Sequence, residues 1–264
     1  MKTRFYLPLL AFAALFWGSC AVNHQYAPNV QNVPFLTKKD QQRVYSGLRS
    51  HQFFRSGDLQ YARALNTKTG AMLNTSFING KDGETTVRGG LLELGVGTSH
   101  LFPNKHYHSA ESPEGWMTEI YGGAGWGWTN NHFAFQDIFF PTPGTPPYVN
   151  GDSKVQFARA FVQPSIGYVN PTVEFALSAR LAYIDFYRGR FYGSSDEARD
   201  DYRFLQNQSK FFLFEPAGTL RFGFDNFKIQ GQMAFSTIPQ ELGSAFYLSG
   251  GAIIDIKPAR KKKK

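Results

Sequence analysis

The chain has 264 residues, with 26 Gly, 26 Phe, 13 Tyr and 4 Trp, a single Cys, and only 18% charged residues. One Cys excludes a disulfide framework or a thiolate metal cluster, and no internal run approaches the ~18 apolar residues of a membrane-spanning helix. The net charge of +8 sits at the chain ends: without Lys2, Arg4, Arg260 and Lys261 to Lys264, residues 20–259 carry +1, too little for a nucleic-acid face.

Residues 1–19 read as a bacterial signal peptide. Lys2 and Arg4 form its positive end, Phe5 to Trp17 its apolar stretch, and small Gly18 and Ser19 precede Cys20. The only Cys therefore stands where a lipobox places the acylated residue, although Trp17 replaces the usual aliphatic. The alternative is a cleaved signal followed by an incidental Cys. Residues 20–41 are Pro- and Asn-rich and have no amphipathic period, which predicts an extended, lipidated tether.

From residue 42 onward, alternating apolar and polar residues predict ten strands, near 42–50, 58–66, 70–78, 86–101, 116–129, 154–168, 172–187, 210–224, 227–237 and 245–256. Short turns at 66–70, 169–171 and 225–226 alternate with longer polar loops, above all 130–153 and 188–209. Outer-membrane barrels keep short turns on the periplasmic side and long loops outside. The connection at 102–115 is long for its side. An all-β transmembrane antiparallel barrel over residues 42–257 is therefore expected, with an even strand count that brings both termini to the periplasm. A basic tail follows at 258–264. Its location predicts contact with anionic headgroups or an acidic partner, or plain solvation.

Strand faces sharpen this picture. Val173, Phe175, Leu177, Ala179, Leu181 and Tyr183 share one face, opposite Glu174, Ser178 and Arg180. Alternation alone fits a soluble barrel as well as a membrane one. Aromatic spacing separates them: Trp116 and Trp126 lie ten residues apart on one face, as do Phe212 and Phe222. Ten residues of tilted strand climb ~25 Å, the height of a lipid-facing band between aromatic girdles. Trp116, Trp126, Trp128, Phe212, Phe214, Phe222 and Phe224 are the girdle candidates.

The polar faces then send Glu93, Glu119, Arg159, Glu174, Arg180, Glu215, Arg221 and Lys228 into the lumen. Charges in a narrow lumen must be paired, because unpaired burial costs several kcal/mol per ion. A plugging ion-pair network is expected; a narrow polar pore is the alternative. His106 and His108, with His100 nearby, form a weak metal pattern without a paired carboxylate, so neither metal nor cofactor is called for. Asp58, His51, His132, Asp137 and Asp185 could lie near the outer rim, where ten-stranded outer-membrane proteases carry acids and histidines. Gly122, Gly123, Gly125 and Gly127 fall within a strand and would relieve crowding in a curved sheet, not cradle phosphate.

Several stretches resemble the outer-membrane β-barrel lipoproteins of Bacteroidetes-type bacteria. They are Ser19-Cys20, the run Tyr26-Ala27-Pro28-Asn29-Val30-Gln31-Asn32-Val33-Pro34, the strand end Gln163-Pro164-Ser165-Ile166-Gly167-Tyr168, and Leu177-Ser178-Ala179-Arg180-Leu181. The resemblance covers most of the mature chain and implies a barrel without an established activity, so no catalytic residues carry over. Surface export of lipoproteins in such bacteria resembles a process that needs acidic residues just after the Cys. Ala21 to Gln25 has none, which favours the inner leaflet. Such barrels typically end on an aromatic; this chain ends on lysines.

The function expected from the sequence is a non-catalytic structural or accessory subunit of an outer-membrane complex. Its partners would be outer-membrane lipid and other outer-membrane or periplasmic proteins. A transport pore and a rim hydrolase are the two alternatives.

Overall fold

The structure, a computed structural model, describes residues 25–51, 54–82, 85–104, 113–136, 148–193, 203, 205–224, 226–239, 242 and 246–256. Ten antiparallel strands form one closed barrel: β1 (Gln42–His51), β2 (Phe54–Ala64), β3 (Thr69–Asp82), β4 (Thr85–Pro103), β5 (Gly115–Gln136), β6 (Tyr148–Val169), β7 (Val173–Gly193), β8 (Lys210–Phe224), β9 (Phe227–Phe235) and β10 (Phe246–Ile256). Each strand pairs with its sequence neighbour, and β1 closes on β10 from Gln42 opposite Ile256 to Ser50 opposite Leu248. Closure leaves no free edge, so every strand's backbone finds partners within the wall.

The wall has two distinct ends. The turn end carries the connections β2–β3, β4–β5, β6–β7 and β8–β9, of which β4–β5 is the longest, and the loop end carries β1–β2, β3–β4, β5–β6, β7–β8 and β9–β10. All ten expected strands are present. The largest difference lies in β5, β6 and β7, which run about six residues further toward the loop end than the alternation indicated. Residues 130–136 begin with the polar Asn130, Asn131 and His132 and read as loop, yet their ladder to 148–154 continues unbroken. A strand in water needs no apolar face if its hydrogen bonds are already in register with a long neighbour.

The outer surface of the wall is apolar. Leu48, Phe212 and Phe224 are 71%, 84% and 79% exposed, and Leu94, Leu177, Leu220 and Ile229 are likewise uncovered. An apolar surface of this extent does not suit water and marks a membrane-facing one. The girdle candidates all lie on this outer face. At the turn end, Trp116 packs edge-on against Tyr168 and Phe175, with centroids 5.8 and 5.5 Å away, and Phe222 and Phe224 of β8 lie at the same end. Toward the loop end, Trp126, Trp128, Phe212 and Phe214 occupy the upper part of the band, with the Tyr183 ring tilted against Phe212 at 5.0 Å. Solubilised in detergent, the protein is expected to give a β-type circular dichroism spectrum and a heat-modifiable band on gels. A monomer that stays folded without detergent would overturn the lipid-facing assignment.

Inward glycines make room for neighbouring aromatics. A Cβ at Gly127 would collide with the Phe157 ring, and one at Gly123 with the Leu94 carbonyl of β4 as well as with Phe161. Gly127 therefore serves lumen packing, and Gly123 also the close approach of β4 and β5. Gly122 faces outward, where a Cβ would make only ordinary contact with Phe161 O.

Candidate functional site: the occupied lumen

Part of the segment expected to be an extended tether runs through the barrel instead. Residues 25–36 are buried along nearly their whole length, with Tyr26, Val30 and Val33 at 0% exposure. Gln25 and Tyr26 donate their N–H groups to Leu242 O, 2.8 and 2.9 Å away in the β9–β10 connection at the loop end. Leu36 reaches Gly70 at the turn end, and Asp40 N–H donates to Ala64 O before β1 begins. The chain thus enters the lumen at the loop end and leaves at the turn end. Gln25 and Ile256 consequently lie at opposite ends of the wall.

An extended segment in a lumen has no ladder of its own, so its backbone groups need side-chain partners. The wall supplies them in order. Tyr247 donates to Asn29 O (2.9 Å), Gln60 to Val30 O (2.6 Å), Gln163 to Asn32 O (2.7 Å) and Arg221 to Val33 O (2.6 Å). Gln232 both accepts from Gln31 N–H and donates to Gln31 O, at 2.8 and 2.9 Å. Val30 N–H donates to Asp58 and Phe35 N–H to Glu119. Pro28 and Pro34 lack a donor altogether, which lowers the number of groups to be matched. Phe35 bends the chain with φ +46°, a left-handed conformation that a bulky residue keeps only when its surroundings impose it. Those surroundings are Glu119, the Arg221 guanidinium over its ring, and Gly167, where a Cβ would come within 2.6 Å of the ring.

All eight charged residues assigned to the lumen are buried there. The described lumen also holds Arg43, Arg49, Asp58 and Asp255, so six acids face six bases. These four sit on β1, β2 and β10. Asp58 was expected near the outer rim and the other three had no face assigned; the eight expected charges already balanced four to four, so charge neutrality gave no sign of them.

The charges form three groups. Near the turn end, Glu174 accepts from Arg43 (2.9 and 3.0 Å), Arg221 (2.9 Å) and Lys228 (2.8 Å), while Asp255 takes the other edge of Arg43 at 2.6 Å. Midway, Arg159 bridges Glu215 at 2.6 Å and Glu93 at 3.2 Å. Asn29 of the threaded segment completes that group. Its Oδ1 accepts from Arg159 (3.0 Å) and Arg180 (2.7 Å), and its Nδ2 donates to Glu93 (2.6 Å). On another part of the wall, Arg49 lies 3.7 Å from Asp58. The segment is therefore bound by the network it traverses, chiefly through Asn29, Gln31, Asn32 and Phe35.

The rim candidates do not converge. Asp58 points into the lumen beside Arg49, whereas His132 and Asp185 lie on the outer face, with the wall between them. His132 Nδ1 instead meets Asp152 at 2.8 Å across the β5–β6 pair, and Asp185 sits 4.0 Å from Lys210. Strand register sets this division, because even residues of β2 face in while those of β5 face out. His100 stacks edge-on against Phe102 on the outer surface. Among the described residues no three His, Cys, Asp or Glu side chains could hold a metal ion. Cys20, His106, His108, Asp137, the His51 side chain and the basic tail lie outside what the structure describes.

Fold and lumen together define a ten-stranded transmembrane barrel that is filled by its own chain. No protein-family model matches it, and no curated protein does. Among solved structures it is similar to the translocator domain of the autotransporter NalP from Neisseria meningitidis, with 8% identity, TM-score 0.36, and coverage of 82% of this chain and 86% of that one. It is similar also to the NanC porin (13% identity, TM-score 0.32, 82% and 100% covered) and to the transport unit of the autotransporter AIDA-I from Escherichia coli (9%, 0.29, 85% and 92%).

Proposed function

We propose that the chain is a lipid-anchored outer-membrane barrel, sealed by its own N-terminal segment, that works without catalysis as a structural or accessory subunit of an outer-membrane assembly. The observation that carries this reading is the occupied lumen. Asn29, held by two guanidiniums and a carboxylate, occupies the lumen midway along its length and ties opposite parts of the wall together there. The separation of Asp58 from His132 and Asp185 gives no support to a rim hydrolase built on those three. On this reading the barrel acts through its surfaces and the segments it displays.

Threading changes where the anchor belongs. Cys20 stands five residues before Gln25, a reach of at most ~18 Å, whereas residues 25–36 span ~35 Å of extended chain through the lumen. That reach supports, for an acylated Cys20, the leaflet at the loop end in place of the inner leaflet expected of a tether outside the barrel. With the short turns in the periplasm, that is the outer leaflet. The basic tail, which follows β10 at the turn end, is then periplasmic.

The test uses two epitopes, one between Val22 and Asn23 and one after Lys264. On intact cells the first is expected to label and the second only after permeabilisation. Reversed labelling would invert the barrel in the membrane. Labelling of both on one side would exclude the threaded path. For the accessory role, native purification from outer membrane is expected to recover a stoichiometric partner, and a lone barrel would count against it.

A further inference from the structure

The outer wall carries a second feature that the lumen does not explain. Between β6 and β7 the register slips by one residue: Gln156 faces Arg188 while Ala158 faces Asp185. Up to this bulge the even residues of β7 point inward, as Arg180, Ile184 and Phe186 do partly or wholly buried. Beyond it the parity inverts. Tyr187 is outside as the earlier parity requires, hydrogen-bonded to Trp126 Nε1 at 2.6 Å, and Arg188 and Arg190 now join that face as the lateral neighbours of Gln156 and Lys154. Bulges commonly re-aim side chains in this way.

The result is an open groove of about 490 Å³ floored by Trp126 and Trp128 and walled by Lys154, Arg188 and Arg190. Arg88 extends the same hydrogen-bonded row through Asn130. Among the described residues none of these four cations has a carboxylate within ion-pair distance. The nearest acids along the row are Asp152, engaged with His132, and Asp185, which faces Lys210. Below the groove the same strands present Ile120, Val162 and Leu181 to the outside. The outer surface thus passes from aliphatic to aromatic to cationic within a few residues, as it does where hydrocarbon gives way to headgroups.

We propose that Lys154, Arg188 and Arg190, with Trp126 and Trp128, form a binding site for the phosphate-bearing headgroup of a membrane lipid on the outer wall of the barrel. Guanidinium forks match phosphate oxygens in pairs, and the indoles sit at the depth of the glycerol and upper acyl carbons. A free anion gains nothing from that apolar floor, which commits the site to a lipid. The inference rests on the membrane reading above.

The test titrates the full chain in detergent with phosphatidylglycerol and reads retained lipid by native mass spectrometry. Replacing Lys154, Arg188 and Arg190 by Gln is expected to weaken retention roughly a hundredfold, from about a factor of five per cation. Arg190→Gln alone is expected to cost about fivefold. Arg63→Gln with Lys68→Gln, at the turn end, should change nothing. Equal retention by the triple and single variants, folded by heat-modifiable mobility, would overturn the site. So would glycerol phosphate binding as tightly as the lipid. Failure of the unsubstituted protein to float with phosphatidylcholine vesicles would instead sink the membrane reading itself.

Discussion

Replacing residues 25–36 by a Gly/Ser stretch of equal length is expected to turn an electrically silent barrel into one that conducts in discrete steps. The substitution removes Tyr26, Asn29, Gln31, Asn32 and Phe35 from the lumen but leaves the wall, its ladders and its lipid-facing surface intact. Pairs internal to the wall survive as well, including Arg159 with Glu215 and Arg43 with Glu174. Water would replace the segment, and charges that now face Asn29 or the segment's carbonyls would hydrate. Planar-bilayer recording checks this, with heat-modifiable mobility to show that the variant folds. Silence of a folded variant would mean that wall side chains alone close the lumen. Steps from the unsubstituted protein would mean that the segment does not seal. Asn29→Ala offers a graded version: hydrogen bonds to charged groups are worth about 1.5–3 kcal/mol each, and three are lost. The threaded segment should then loosen before the wall does, seen as protease cleavage within residues 25–36 on an otherwise folded barrel.

Glu174→Gln is expected to be the most damaging single substitution in the wall. The carboxylate is the common partner of Arg43, Arg221 and Lys228. Gln keeps the shape but removes the charge, leaving Lys228 with no other ion-pair partner among the described residues. Breaking one side of a buried charge pair costs about 3–5 kcal/mol. A clear fall in the urea midpoint of the protein folded into vesicles is therefore expected. Adding Lys228→Met, which removes the most dependent cation, should recover part of the loss, so the two changes are not additive. A Glu174→Gln protein as stable as the original would show that these cations are hydrated rather than paired with the carboxylate.

Neither result was fully visible in the sequence. The strand count and the faces of β7, β8 and β9 were legible, because a wall with lipid on one side and polar side chains on the other forces period-two alternation on each strand. That is why Glu174, Arg180, Glu215, Arg221 and Lys228 could be placed in the lumen before any pairing was known. The bulge in β7 marks where this reasoning stops: alternation would have carried Arg188 and Arg190 inward, and one extra residue sends them out.

The threaded segment shows the larger limit. Residues 25–36 have no period, two prolines and several amides, the same composition as a solvated linker. Their structure comes from partners far away in sequence, such as Gln163 and Gln232, each of which acts only because the closed wall holds it at the right depth. By itself, then, the sequence determined a ten-stranded membrane barrel with a charge-balanced interior, since local alternation and charge neutrality are properties of each strand. Only the tertiary structure decided that the N-terminal segment fills that interior and that Gln25 and Ile256 part to opposite ends. A polar segment without a period carries no local preference between water and a polar lumen. The matching donors and acceptors of the assembled wall supply it.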